Sequence, residues 1–176
     1  MSTKKVVLLS SFTALSIVLN WMENIFFPWT ILPIPGAKIG LANIVFLIIL
    51  IVAGLRMALI LSVLRVFFLG IFTGTLATVI FPLSLGGAVL SILFMKAARF
   101  FWGDKLSVIG LSIVGAVGHN LGQFGVLSVI PGLFPGLSLL YILLPGLFLL
   151  AIPAGILTGW IAGQILPVVK NEWEAI

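Results

Sequence analysis

The chain has 176 residues, of which 62% are hydrophobic and 7% charged, and its mean hydropathy is +1.38. A chain so short of polar side chains cannot cover itself in water, which excludes a soluble globular protein and points to an integral membrane protein. The absence of cysteine excludes disulfides, thiolate metal sites and thiol nucleophiles, and a formal net charge of +5 has meaning only through where the basic residues sit.

Each spanning helix needs about 20 apolar residues to cross ~30 Å of hydrocarbon, so the chain is expected to be an all-α bundle of six spans in a single domain over residues 1–176. The first span is expected from Val6 to Phe27, behind Lys4 and Lys5. It has no small-residue cleavage site and precedes further membrane-length runs, so it reads as a retained span and not as a signal peptide. Near its far end stand Asn20, Glu23 and Asn24. A loop is then forced at Pro33-Ile34-Pro35-Gly36-Ala37-Lys38-Ile39, because proline fixes its own backbone and restrains the residue before it, while Gly36 permits a reversal. A short second span is expected from Gly40 to Ala53, a turn at Gly54-Leu55-Arg56, and a third span from Met57 to Leu76 that contains Arg65. The fourth starts at Pro82 and runs to Phe101, ending among Lys96, Arg99, Asp104 and Lys105. The fifth, Leu106 to Ile130, carries His119, Asn120 and Gln123. After a turn at 131–136 the sixth runs from Leu137 to Leu166 and is expected to be interrupted by Pro145 and Pro153; at about 45 Å as a straight helix, part of it is expected to be kinked, tilted or outside the membrane.

The basic residues orient this set. With a cytoplasmic N-terminus, Lys4, Lys5, Arg56, Lys96, Arg99, Lys105 and Lys170 fall inside and Lys38 alone falls in an outer loop, as the positive-inside rule asks. Trp21, Trp29, Trp102, Trp160 and Trp173 lie mostly near span ends, where an amphipathic ring settles at the headgroups. Arg65 fits neither pattern. It lies nine residues beyond Arg56, about 14 Å deeper along a helix, where a cation is costly unless it faces a cavity or a partner. Glu23 is the only acidic residue at that side of the membrane, so Arg65 either pairs with Glu23 and helix carbonyls or meets an anionic ligand.

Counted from the inner ends, Asn20 and His119 both lie roughly 20 Å up their spans. Asn24 and Gln123 are one turn above them, and Asn43, at the outer start of the second span, and Lys38 just above it complete a ring. Asn20, Lys38, Asn43, Arg65, His119 and Gln123 are therefore the expected substrate-binding residues of a cavity open to the outside. Gly115, Gly118, Gly122 and Gly125 on the fifth span, and Gly155, Gly159 and Gly163 on the sixth, form small-residue faces that let helices approach closely. Ser10 and Ala14 form a shorter face of the same kind on the first span, available to another helix or to a partner protein.

Catalytic signatures are missing from the chain. There is no paired-aspartate motif for magnesium diphosphate chemistry, no Gly-x-Ser-x-Gly elbow, no phosphate-binding Gly-Lys-Ser loop and no two-histidine metal spacing, so neither an enzyme nor a metal site is expected.

The strings Pro35-Gly36-Ala37-Lys38-Ile39-Gly40-Leu41-Ala42-Asn43, Leu64-Arg65, Phe81-Pro82-Leu83-Ser84-Leu85-Gly86-Gly87, Ser112-Ile113-Val114-Gly115-Ala116 and Gly118-His119-Asn120-Leu121-Gly122-Gln123 together resemble the bacterial Gx transporter family, often labelled heptaprenyl diphosphate synthase component I. The resemblance covers nearly the whole chain. It implies a likeness to the substrate-binding S components of energy-coupling-factor transporters, with six helices and an outward pocket capped by the loop between the first two. It also implies residence in the bacterial plasma membrane, and as partners a transmembrane coupling protein and two cytoplasmic ATPases, which alone would use ATP. The implied cargo is an isoprenoid or prenyl phosphate precursor, with a vitamin-like metabolite or a non-transporting role beside a prenyl diphosphate synthase as alternatives. The resemblance also implies a docking face, since many S components dock through an alanine-xxx-alanine face on the first helix, where this chain has Ser10-xxx-Ala14.

Overall fold

A computed structural model of the chain describes residues 2–26, 40–130 and 137–175. These form six α-helices: α1 (Thr3–Phe26), α2 (Leu41–Val52), α3 (Leu55–Phe72), α4 (Ile80–Trp102), α5 (Val108–Val129) and α6 (Leu137–Glu174), with a 3-10 turn at Gly103–Lys105 between α4 and α5. No strand occurs among the described residues, so the expected all-helical bundle is what the chain forms. The proline loop with Lys38, the neighbouring Trp29 and the turn at 131–136 lie outside the described residues, as do the side chains of Asn24 and Asp104.

By length and composition α1, α3, α4 and α6 are able to cross a membrane. α2 is different. Its 12 residues extend only about 18 Å, well short of a bilayer's hydrocarbon core, yet it is the most apolar helix of the six. Every residue from Ile44 to Leu50 is buried, none more than 5% exposed. A helix that is apolar all round belongs inside a larger structure, and α2 packs against all five other helices. α5 has 22 residues and carries the polar side chains of His119, Asn120 and Gln123 within an otherwise apolar helix.

Several boundaries differ from the expected ones for identifiable reasons. α3 ends at Phe72 and not at Leu76, because Gly74 takes a left-handed φ of 68°. The N–H of Thr75 then reaches the Gly70 carbonyl at 2.8 Å and that of Gly74 reaches Ile71 at 3.2 Å, which satisfies carbonyls left open at the helix end. α4 starts at Ile80, two residues before Pro82, since a proline in the first turn gives up an N–H that has no intrahelical partner anyway. α5 starts at Val108 with the Ser107 hydroxyl accepting from the Gly110 N–H at 3.1 Å.

The sixth helix continues to Glu174, eight residues past the expected end, and stays helical through Pro145, Pro153 and Pro167. What holds its last turns is packing: Val169 is buried, and Trp173 lies against the core with the Lys5 ammonium 4.8 Å from its ring centroid. Trp173 thus joins the two ends of the chain, whereas Trp21, Trp102 and Trp160 are more than half exposed and suit the anchoring role.

Close backbone approach joins α4, α5 and α6. A methyl group added at Gly122 would collide with the Gly86 carbonyl, and one at Gly115 would come within 2.8 Å of the Met95 sulfur. A methyl at Gly155 or Gly159 would lie 2.6 Å from the Cα of Ile113 or Ile109 on α5. Gly125 and Gly163, expected on the same faces, have open space around them, so the contact surfaces stop short of both. Across the α5–α6 seam the Ser112 and Thr158 hydroxyls hydrogen-bond at 2.8 Å.

These contacts separate the glycines into two groups with different expected behaviour. Gly122→Ala should destabilise the detergent-solubilised protein by about 1–3 kcal/mol, the usual cost of overpacking against backbone that cannot yield, while Gly163→Ala should be neutral or mildly stabilising. Thermal unfolding followed by circular dichroism compares the two, and equal effects would remove the claim that the α4–α5 seam depends on backbone contact.

Candidate functional site

The site begins with a stripe on α1. Leu9, Thr13, Ser16, Asn20 and Glu23 recur at helical spacing, all are buried, and the polar ones accumulate toward the C-terminal end of α1. Thr13 and Ser16 donate to carbonyls of their own helix, Leu9 at 2.9 Å and Thr13 at 2.7 Å, so they leave no open donor in the bundle.

Glu23 reaches across to the start of α2. Its carboxylate accepts the N–H of Gly40 at 2.6 Å and that of Leu41 at 3.2 Å, and the residue is 1% exposed. The first N–H groups of a helix have no intrahelical partner and carry a partial positive charge, so a carboxylate there is favoured twice over. Gly40 adopts φ 81°, a left-handed conformation that admits glycine easily, and its missing side chain leaves room for Asn43, whose Nδ2 would be 2.8 Å from any added methyl.

Arg65 stands on the buried face of α3 with Leu61, Ser62 and Val66 and is 5% exposed. Its guanidinium carbon lies 5.5 Å from the ring centroid of Phe46 on α2, within the range of a cation–π contact. The charge of Glu23 acts on it, but no ion pair between them falls within 4.0 Å, and the buried Nε of Arg65 has no hydrogen-bond partner among the described residues. Both readings of Arg65 therefore retain a physical basis. An internal counter-charge is present, and one N–H is still unsatisfied.

A second group is built on α4 and α5. The His119 ring lies over Gly87, where a methyl would come 2.8 Å from the ring, and Gln123 is half-buried one turn further along. The six expected binding residues thus fall into two sets: Asn20, Asn43 and Arg65 on α1, α2 and α3, and His119 and Gln123 on α5, with Lys38 outside the described residues. Ser10 and Ala14 are exposed on the side of α1 away from its buried stripe. Two participants were not among the expected binding residues. Glu23 had a signal in the sequence as the only acid before Asp104, whereas Phe46 had none, being one apolar residue in an apolar run. Among the described residues no three His, Cys, Asp or Glu side chains converge as metal ligands would.

The Glu23 contacts predict a coupled effect. Glu23→Ala should destabilise the protein by about 3–5 kcal/mol, because it uncaps a buried helix and leaves Arg65 without its counter-charge. Adding Arg65→Met to that variant should recover part of the loss. A double-mutant cycle on thermal unfolding reads this directly, and strictly additive losses would mean that the two residues are energetically independent.

Residues 12–165 match the family model described as heptaprenyl diphosphate synthase component I. No curated protein and no solved structure matches the chain. The description is of one component of a synthase, which implies a second subunit, and the matched region takes in α2 to α5 whole together with most of α1 and α6. This helical membrane protein, with its buried arginine and its carboxylate-capped inner helix, belongs to the heptaprenyl diphosphate synthase component I family.

Proposed function

We propose that the chain is the substrate-binding S component of an energy-coupling-factor importer, capturing a small anionic molecule, an isoprenoid or prenyl phosphate precursor, from outside the cell. The observation that carries this reading is Arg65: a 5% exposed guanidinium whose Nε lacks a hydrogen-bond partner among the described residues. A buried donor left open costs about 1–3 kcal/mol, more when charged, which is hard to account for unless something else fills it part of the time. An anionic head group suits that place, with Asn20, Asn43, Lys38, His119 and Gln123 as further polar contacts and the apolar helices around an isoprenoid tail. A vitamin-like cargo would use the same machinery.

The remaining roles follow from the chain's chemistry. It has no nucleotide-binding motif, so ATP hydrolysis belongs to two cytoplasmic ATPases acting through a transmembrane coupling protein, which meets the exposed Ser10 and Ala14 face of α1. The chain itself needs no cofactor. The positive-inside rule supports a cytoplasmic location for both termini in a bacterial cell, since seven basic residues then fall on the inner side of the plasma membrane.

A second reading has support of its own in the family's description: a non-transporting membrane subunit that assists a prenyl diphosphate synthase. Purification separates the two. Mass spectrometry should find a small organic anion leaving with the detergent-solubilised protein, and a soluble synthase copurifying in its place would favour the subunit. For the anion so identified, Arg65→Gln should weaken binding roughly 30-fold to several thousand-fold, the range for truncating one side of a desolvated charged contact. Undiminished affinity in that variant would return Arg65 to a purely structural role. In liposomes the isolated chain should bind this ligand but not concentrate it, even with ATP inside; uphill accumulation by the chain alone would rule out the S-component reading.

A further inference from the structure

At the end of the bundle opposite the Glu23 cap, the last turn of α2, the end of α4, the start of α5 and α6 border a partly open cavity of about 180 Å³. Ile51, Leu106, Val108, Leu111 and Leu166 supply apolar walls, and Arg99 is the charged residue that lines it. Arg99 is half-buried, and the sole ion pair among the described residues, Lys170 with Glu174, does not involve it. Immediately beyond it, Phe100, Phe101 and Trp102 are 78%, 73% and 59% exposed and pack edge to face, with centroids 5.4 and 6.2 Å apart. Exposed aromatic rings at a helix end sit at the headgroup level of a bilayer. Lys96, one turn before Arg99, and Lys105 in the 3-10 turn are exposed on either side in sequence.

We propose that this cavity is a binding site for the phosphate headgroup of an anionic phospholipid. A guanidinium presents paired N–H donors that match phosphate oxygens, basic pockets between helix ends take anionic headgroups, and the apolar walls accept the glycerol and the first methylenes of the chains. The aromatic cluster places the opening where such headgroups are. Lys96 and Lys105 raise the local concentration of anionic lipid without entering the cavity. The site shares no lining residue with the group around Arg65 and does not rest on the transport reading.

Native mass spectrometry of the full-length protein in a non-ionic detergent tests this with added dioctanoyl phosphatidylglycerol, dioctanoyl phosphatidylcholine or inorganic phosphate. Phosphatidylglycerol should be retained about tenfold better than phosphatidylcholine, and inorganic phosphate at equal concentration should not displace it. Arg99→Gln should bring the preference to within about twofold, and Leu106→Trp, which fills the cavity and keeps the charge, should lower phosphatidylglycerol retention as much. Should Arg99→Gln fail to fold, Leu106→Trp still decides. Lys96→Gln should change retention by less than about twofold. Equal retention of both lipids, displacement by inorganic phosphate, or a loss in Lys96→Gln as large as in Arg99→Gln would each overturn the proposal, the last by showing that general surface charge is responsible.

Discussion

The bundle depends on keeping α2 inside it. A helix surrounded by other helices has no water at its ends, and in an apolar interior each unsatisfied N–H or C=O costs several kcal/mol. The Glu23 carboxylate meets this need at the N-terminal end of α2 by accepting from Gly40 and Leu41. At its C-terminal end the N–H groups of Ala53 and Gly54 both return to the Ile49 carbonyl, at 2.8 and 3.1 Å. Having been buried to cap a helix, the carboxylate itself needs compensation, and Arg65 is the cation whose charge it meets. An apolar helix thus requires a buried anion, and the buried anion accounts for a buried cation.

The two halves of the bundle are held together by different physics. Around α2, bulky side chains such as Phe46, Ile48, Ile49 and Met95 fill the interior and polar groups are matched one by one. Between α4, α5 and α6 the side chains are removed instead. Gly86 and Gly122 bring two backbones into contact, and Gly155 and Gly159 bring a third. Between helices already in lipid, apolar association gains little from water, so short backbone distances and a few hydroxyl contacts such as Ser112 with Thr158 carry the packing. The polar group on α1 to α3 is therefore set among side chains with some capacity to rearrange, and His119 is clamped beside Gly87 on a seam that has little.

That difference bears on function. Arg65 is partly compensated, by Glu23 at a distance and by the face of Phe46, while its Nε keeps an open donor. Glu23 turns both carboxylate oxygens toward α2 and does not reach that Nε. A group with acceptor oxygens would be attracted to Arg65 but would also meet Glu23 nearby, so the pair sets a balance between attraction and repulsion that an isolated arginine would not.

Hydropathy, charge placement and glycine spacing by themselves determined the all-helical class, the six segments and the helix faces that pack, because each is a property of residues close together in the chain. The sequence also singled out Arg65 and Glu23 as opposite charges that the membrane would force to respond to one another. It could not tell that α2 would be enclosed on every side, since a short apolar run reads alike whether it faces lipid or protein. Nor could it place the Glu23 carboxylate on the N–H groups of Gly40 and Leu41, seventeen and eighteen residues away, or Phe46 under a guanidinium from α3. Those contacts depend on where three helices come to rest against each other. Only the tertiary structure decided that the carboxylate's first obligation is to a helix end, because a backbone N–H leaves no mark in the sequence until something buries it.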